Sequence, residues 1–163
     1  PRTPLSADRA GFRFPRYSPD GRHVAVAIDP RPSQVWVYDI GAETLTLIFD
    51  SPGPDVLDAP DNICISPQGG MIVCEDGGGA QFLRGISSSG EIFDFARNLH
   101  NSIEFAGACF SPDGGTLFVN LYGRSTVRTT QPYKSPVLLP VSPERRERSM
   151  TLAIWGPWRS GPL

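Results

Sequence analysis

Five oxygen-bearing side chains have the chemistry of a site for a hard cation. They are Asp61 and Asn62 before one apolar run, Glu75 and Asp76 after the next, and Glu104 between two apolar residues. Carboxylate and amide oxygens are the ligands that Ca²⁺ takes in proteins. Adjacent acids repel one another without a cation, and an unpartnered charge among apolar residues is costly. The pattern predicts a metal site at Asp61, Asn62, Glu75, Asp76 and Glu104. Capping of turns by Asp and Asn side chains is the alternative interpretation.

The elements that position these residues are visible as an internal repeat. One turn occurs three times, as Ser-Pro-Asp-Gly from Ser18, Ser-Pro-Gln-Gly from Ser66 and Ser-Pro-Asp-Gly from Ser111. Pro at the second position and Gly at the fourth suit a type I turn. Short apolar runs follow every copy and precede the second and third, and further alternating runs continue the first two units. The repeat predicts four short antiparallel strands in about 45 residues, which is typical of a β-propeller blade.

The repeat sets the fold class and the extent of the fold. We predict an all-β protein with about three blades of a six-bladed β-propeller, because closed propellers have about four to eight blades. Residues 1–163 then form a single partial propeller domain. Residues 123–149, rich in Pro, Ser, Thr and Arg, are predicted to be an irregular insertion or a long loop. We expect the chain to be the C-terminal portion of a longer protein.

Blade geometry predicts where the oxygen-bearing residues lie. In an antiparallel meander the start of the first strand and the end of the second strand lie at the same end of the sheet. All five candidates, with Asn120, are therefore expected on one face of the propeller around its axis. Gly77, Gly78 and Gly79 directly after Asp76 allow the backbone to approach a ligand closely.

Composition and motifs exclude several other functions. The formal net charge of −2 provides no basic footprint for nucleic acid, and no apolar run reaches the length of a membrane span. There is no signal peptide in the sequence, and no motif of a serine hydrolase, P-loop nucleotidase or zinc protease. The three cysteines are interpreted as buried small hydrophobes and not as a disulfide framework. We read His23 as a surface residue and His100 as a loop residue.

Four motifs in order resemble the PhoX family of alkaline phosphatases. They are Asp-Asn at Asp61, Cys-Glu-Asp-Gly from Cys74, Glu-Phe-Ala-Gly from Glu104, and Ala-Ile-Trp-Gly-Pro-Trp from Ala153. The resemblance implies a secreted, usually Tat-exported, bacterial phosphomonoesterase, periplasmic or extracellular, with Ca²⁺ and Fe³⁺ in a central site of the propeller. It also implies that Glu75, Asp76 and Glu104 are metal ligands.

Three functions remain open at this point. The first is metal-dependent hydrolysis of phosphomonoesters, in which metals bind the phosphate oxygens and supply or orient an oxygen nucleophile. No side chain is assigned as the catalytic nucleophile. The second is hydrolysis by a calcium-dependent, lactonase-like propeller, and the third is a non-catalytic propeller that binds proteins. The expected partners are a phosphomonoester substrate and the missing N-terminal half of the propeller, with no nucleic acid and no membrane span.

Overall fold

The computed structural model describes residues 12–28, 32–99, 103–122, 149–156 and 161–163, which form eleven strands in three antiparallel sheets. Sheet 1 contains β1 (Phe12–Tyr17), β2 (His23–Ile28), β3 (Gln34–Asp39) and β4 (Thr44–Asp50). Sheet 2 contains β5 (Pro60–Ile65), β6 (Met71–Glu75), β7 (Phe82–Ile86) and β8 (Ile92–Arg97). Sheet 3 contains β9 (Glu104–Phe110), β10 (Thr116–Tyr122) and β11 (Met150–Trp155). Strands pair in chain order within each sheet. In the described parts of the chain there is no helix that could span a membrane.

The three repeated turns connect the first and second strand of each sheet, as predicted for sheets 2 and 3. Gly21, Gly69 and Gly114 have φ of 69°, 92° and 68°, a backbone conformation that costs glycine little. Each of these glycines donates its N–H to the carbonyl oxygen of the serine that opens the turn, at 2.8–3.1 Å. The insertion predicted at 123–149 lies outside the described residues except for Ser149, and so does His100.

One strand was not expected from the sequence. β1 precedes the first turn, where the apolar pattern is interrupted by Pro15 and Arg16. Its pairing with β2 is irregular between Arg13 and Arg16, so the proline lies in the irregular part of the ladder. Proline lacks a backbone N–H and is tolerated in a sheet at such positions.

Two strands begin earlier in the sequence than their apolar runs suggest. β5 starts at Pro60 and β9 starts at Glu104, so Asp61, Asn62 and Glu104 lie within strands. Pro60 pairs with Glu75, and Glu104 pairs with Tyr122. The start of the first strand and the end of the second therefore lie together in sheets 2 and 3, which is the arrangement that the repeat predicted.

The hydrophobic core consists of two layers with sheet 2 between them. Its layer against sheet 1 joins Ala25 and Val35 to Ile63, Val73 and Ile86. The layer against sheet 3 joins side chains from alternate positions, among them Cys64, Ile72, Leu83, Leu117 and Val119. Successive residues of a strand point to opposite faces, so the mostly apolar strands of sheet 2 fill both layers.

The prediction that all three cysteines are buried is wrong for Cys109. Cys64 and Cys74 lie in the layer between sheets 2 and 3, whereas Cys109 is exposed. Cys109 pairs with Phe118, which is also exposed, on the face of sheet 3 that points away from sheet 2. The apolar residues on either side of Cys109 in the sequence occupy the alternate positions of the strand, and these positions face inward.

Sheet 1 also has an apolar face that points away from sheet 2. Its paired positions carry Tyr17, Val24, Tyr38 and Leu45 in one row, and the next row carries Val26, Trp36 and Leu47. Directly paired residues share a face of the sheet. Tyr17 is 70% exposed, and Leu45 and Leu47 are exposed as well. We call this set the outer face of sheet 1.

Candidate metal centre

Asp61, Asp76 and Glu104 form an electrostatic group that we call the acidic cluster. Asp76 follows the end of β6, Asp61 lies at the start of β5, and Glu104 lies at the start of β9 on the neighbouring sheet. The pKa of Glu104 is raised to about 7. Burial is the main cause, and a hydrogen bond to the Asp76 carboxyl and the negative charges of Asp76 and Asp61 add to it. Three of the five predicted site residues thus interact with one another.

Two oxygen atoms of the predicted site residues are buried and have no hydrogen-bond partner among the residues that the structure describes. They are Oε2 of Glu104 and Oδ1 of Asn62. A buried polar atom that is left unpaired is costly, and such atoms in a native structure require an explanation. Both atoms are oxygens of the kind that bind Ca²⁺, so the donor set fits a hard cation. Within the described ranges, however, no three His, Cys, Asp or Glu side chains converge closely enough to hold a metal ion by themselves.

The pKa of the Cys74 thiol is affected by two members of the same acidic cluster. Its pKa is raised to about 12, mainly by burial, and the charges of Asp61 and Glu104 contribute. A thiol with a raised pKa is a poor nucleophile, because the thiolate is the reactive form. The Cys74 side chain packs in the layer between sheets 2 and 3.

Glu75 has different surroundings, although it precedes Asp76. Its side chain is only 4% exposed. Its Oε1 atom accepts hydrogen bonds from the Asp58 backbone N–H at 2.9 Å and from Nε of Arg84 at 3.0 Å. Burial raises the pKa of Glu75, while these hydrogen bonds and the charge of Arg84 oppose the shift. The groups that influence the pKa of Glu75 are thus Arg84 and Asp58, whereas Asp76 and Asp61 influence the pKa of Glu104.

Arg84 is the centre of a buried charged network that the sequence analysis missed. Its guanidinium bonds to the carboxylates of Glu75 and Asp94, and its central carbon lies 4.1 Å from the centroid of the Phe82 ring. These groups line a cavity of about 250 Å³ together with Asp55, Asp58 and Gly77. Arg84 lies between Leu83 and Gly85 in a strand that is buried on both faces. A charge in such a strand requires a partner, so this arginine was the sequence signal for the network.

The segment between this network and the acidic cluster has a strained backbone. Ala59 has φ of +45°, which is unfavourable for a residue with a Cβ. Its carbonyl oxygen accepts a hydrogen bond from the Asp76 N–H at 3.0 Å. A Cβ on Gly77 would overlap the carboxylate of Asp58.

Asn120 is the sixth residue that was expected on this face of the propeller. Its Oδ1 atom accepts a hydrogen bond from the Thr151 hydroxyl at 2.7 Å.

The raised pKa of Glu104 makes the stability of the metal-free protein depend on pH. Between the ordinary value of 4.5 and about 7 the folded state holds more protons than the unfolded state, so the free energy of unfolding decreases as the pH rises. Glu104→Gln should make this slope shallower and raise stability at pH 8 by about 1 kcal/mol, allowing for solvent screening. Urea unfolding at pH 5 and pH 8 measures the change. Equal slopes for both proteins would contradict the prediction.

The sequence comparisons agree with the motifs around this site. Residues 34–123 match the family model described as alkaline phosphatase PhoX. The chain belongs to the PhoX family. The matched region contains all five predicted site residues as well as Arg84 and Asp94. A search of curated proteins finds no match.

Solved structures establish the architecture in which the PhoX-family motifs are placed. The crystal structure of the tricorn protease superposes with a TM-score of 0.55 at 17% identity, covering 93% of this chain and 14% of that chain. The crystal structure of TolB from Acinetobacter baumannii superposes with a TM-score of 0.52 at 20% identity, covering 70% and 27%. Both are propeller folds. The antiparallel sheets therefore have the fold of a propeller, and the chain spans only a small part of the solved chains it matches.

Proposed function

We propose that this chain is part of a metal-dependent phosphomonoester hydrolase, with the acidic cluster as part of its metal centre. Membership in the PhoX family supports a phosphatase. The observation that carries the assignment of the site is the buried Oε2 of Glu104, which has no hydrogen-bond partner in the described part of the chain and lies on a side chain that interacts with Asp76 and Asp61. A cation would compensate the repulsion of the acids and supply a partner for that oxygen.

The residues that would hold the metal are Glu104, Asp76 and Asp61, with Asn62 as a neutral oxygen ligand. Ca²⁺ fits this donor set, and Fe³⁺ is proposed from the family resemblance alone. When bound, such metals bind the phosphate oxygens, stabilise charge that develops on them and supply or orient an oxygen nucleophile. The protein's part is to hold four oxygens in place on strands β5 and β9 and at the end of β6. Rigid strand positions suit this role, because catalytic geometry tolerates little displacement.

We also propose that further blades complete the propeller and the site. The outer face of sheet 1 resembles the buried faces between sheets 1, 2 and 3 in its apolar character, and a sheet face of this kind packs against another sheet. A single propeller domain of about six blades, with residues 123–149 as an insertion, agrees with the repeat length. Further blades would also supply the remaining metal ligands. The proposed location, outside the cytoplasm, rests on the family resemblance.

The decisive experiment uses the complete polypeptide that carries this chain, with all its blades. We expect it to hydrolyse a chromogenic phosphomonoester, to lose activity when a chelator removes its metals, and to recover activity when Ca²⁺ and Fe³⁺ are restored. Lactone hydrolysis without phosphatase activity would instead select the lactonase-like function. A protein that binds no metal and is recovered with a protein partner would select the binding function.

A further inference from the structure

We propose that Glu75 is a positioning residue that, through Asp58, holds the segment carrying Asp61 next to Asp76, and is not itself a metal ligand. This inference rests on the proposed metal centre. Glu75 was one of the residues that the sequence analysis predicted as ligands. Its buried carboxylate instead already has two donors, the Asp58 amide and Nε of Arg84, on the same oxygen.

The contacts form a continuous connection from Arg84 to the acidic cluster. Arg84 is fixed by the Asp94 carboxylate and by the Phe82 ring, and it orients Glu75. Glu75 holds the amide of Asp58. One residue later, Ala59 accepts the Asp76 N–H, and Pro60 then leads directly into Asp61. Two members of the acidic cluster are therefore attached to the same short segment.

The strain at Ala59 explains why this segment needs an anchor. A positive φ at an alanine is strained and persists only where the surroundings impose it. The hydrogen bond from Asp58 to Glu75 lies immediately before the strained residue, and the hydrogen bond from Asp76 is made to Ala59 itself. Without the Glu75 carboxylate, the segment is free to relax and to move Asp61 relative to Asp76.

Gly77 contributes to the same anchor by the absence of a side chain. A Cβ at this position would occupy the space of the Asp58 carboxylate. The Asp58 side chain therefore lies against the backbone that directly follows Asp76. This contact and the hydrogen bond from Asp76 to Ala59 hold the two segments together at the strained residue and at the residue before it.

Two sets of variants distinguish a positioning residue from a ligand. Glu75→Gln removes the charge but keeps an oxygen that can accept from the Asp58 amide. In the double variant Glu75→Met/Arg84→Met both buried charges are replaced by apolar side chains, which keeps the fold while it removes the acceptor. Glu91→Gln, at an exposed position at the other end of sheet 2, is the matched control.

The first readout is Ca²⁺ affinity, measured by titration calorimetry on the complete polypeptide. We expect the double variant to lose affinity by about 10- to 100-fold, as for other residues that orient ligands without binding the metal. Glu75→Gln should lose far less than Glu104→Gln. A loss for Glu75→Gln equal to that for Glu104→Gln would make Glu75 a ligand and overturn the proposal, and so would an unchanged affinity in the double variant.

The second readout is amide hydrogen exchange in the absence of metal. The N–H groups of Asp58 and Asp76 should exchange faster in the double variant, while amides in the middle of β6 keep their protection. Unchanged exchange at both N–H groups would overturn the positioning role. If the wild-type protein binds no Ca²⁺ but exchange changes as expected, the proposed function fails and the anchor stands.

Discussion

Glu104→Gln should lower the Ca²⁺ affinity of the complete polypeptide by at least about 100-fold, more than the loss of a residue that only orients a ligand. Glutamine keeps the size of the side chain but loses the charge that opposes the cation. The phosphatase activity at a fixed, low Ca²⁺ concentration should fall with the affinity. Calorimetric titration and hydrolysis of a chromogenic phosphomonoester measure the two effects.

The control for Glu104→Gln is Asp113→Asn in the same sheet. Asp113 is exposed in the turn at the opposite end of sheet 3, where it accepts a hydrogen bond from the Ser111 hydroxyl. Hydrogen bonds from Ser111 and Gly115 hold the pKa of Asp113 below its ordinary value, so it is ionised at neutral pH like a metal-bound acid. Wild-type affinity in Glu104→Gln, or an equal loss in Asp113→Asn, would remove Glu104 from the metal centre.

The largest effect on stability is expected at the buried ion pair. Arg84→Met leaves the Glu75 carboxylate buried without its cationic partner, and removal of one partner of such a pair costs about 3–5 kcal/mol. Replacing both partners, as in Glu75→Met/Arg84→Met, should cost far less, because no uncompensated charge remains in the interior. Urea unfolding of the two single variants and the double variant measures the difference.

The coupling between these substitutions is the informative quantity. If the pair acts as a unit, the effects of the single substitutions sum to much more than the effect of the double variant. Additive effects would mean that Arg84 and Glu75 contribute separately, for example through packing against Phe82. The free energy of unfolding of the double variant also shows whether that variant is folded under the conditions of the Ca²⁺ titration and the hydrogen-exchange measurement.

The sequence was sufficient to predict most of the strands and the turns between them, because their signals are local. Each Ser-Pro-x-Gly turn imposes its own geometry, and the short apolar runs beside it specify strands. β1 was missed because Pro15 interrupts the apolar pattern, and it is tolerated only where the ladder is irregular. Cys109 was assigned to the interior because a short apolar run does not reveal which face of a sheet each residue occupies.

The candidate site was predicted only in part, because it depends on contacts between segments distant in the sequence. Asp61, Asp76 and Glu104 could be grouped from strand ends alone. The different surroundings of Glu75 could not be predicted, because they result from Arg84 on the next strand and from the backbone conformation of Asp58 and Ala59. Adjacent residues such as Glu75 and Asp76 resemble one another in sequence but leave the strand end in different directions.

The position of Cys109 provides a chemical reporter for assembly of the propeller. Cys64 and Cys74 are buried, and their pKa values are raised by burial, so both react slowly with thiol reagents. Cys109 is exposed on the outward face of sheet 3, where it pairs with the exposed Phe118. A maleimide label on the wild-type sequence therefore tests the proposal that a further blade covers that face, because a covered Cys109 would react slowly and an accessible one rapidly. The proposed closure of the propeller can thus be followed over time without the introduction of a foreign residue.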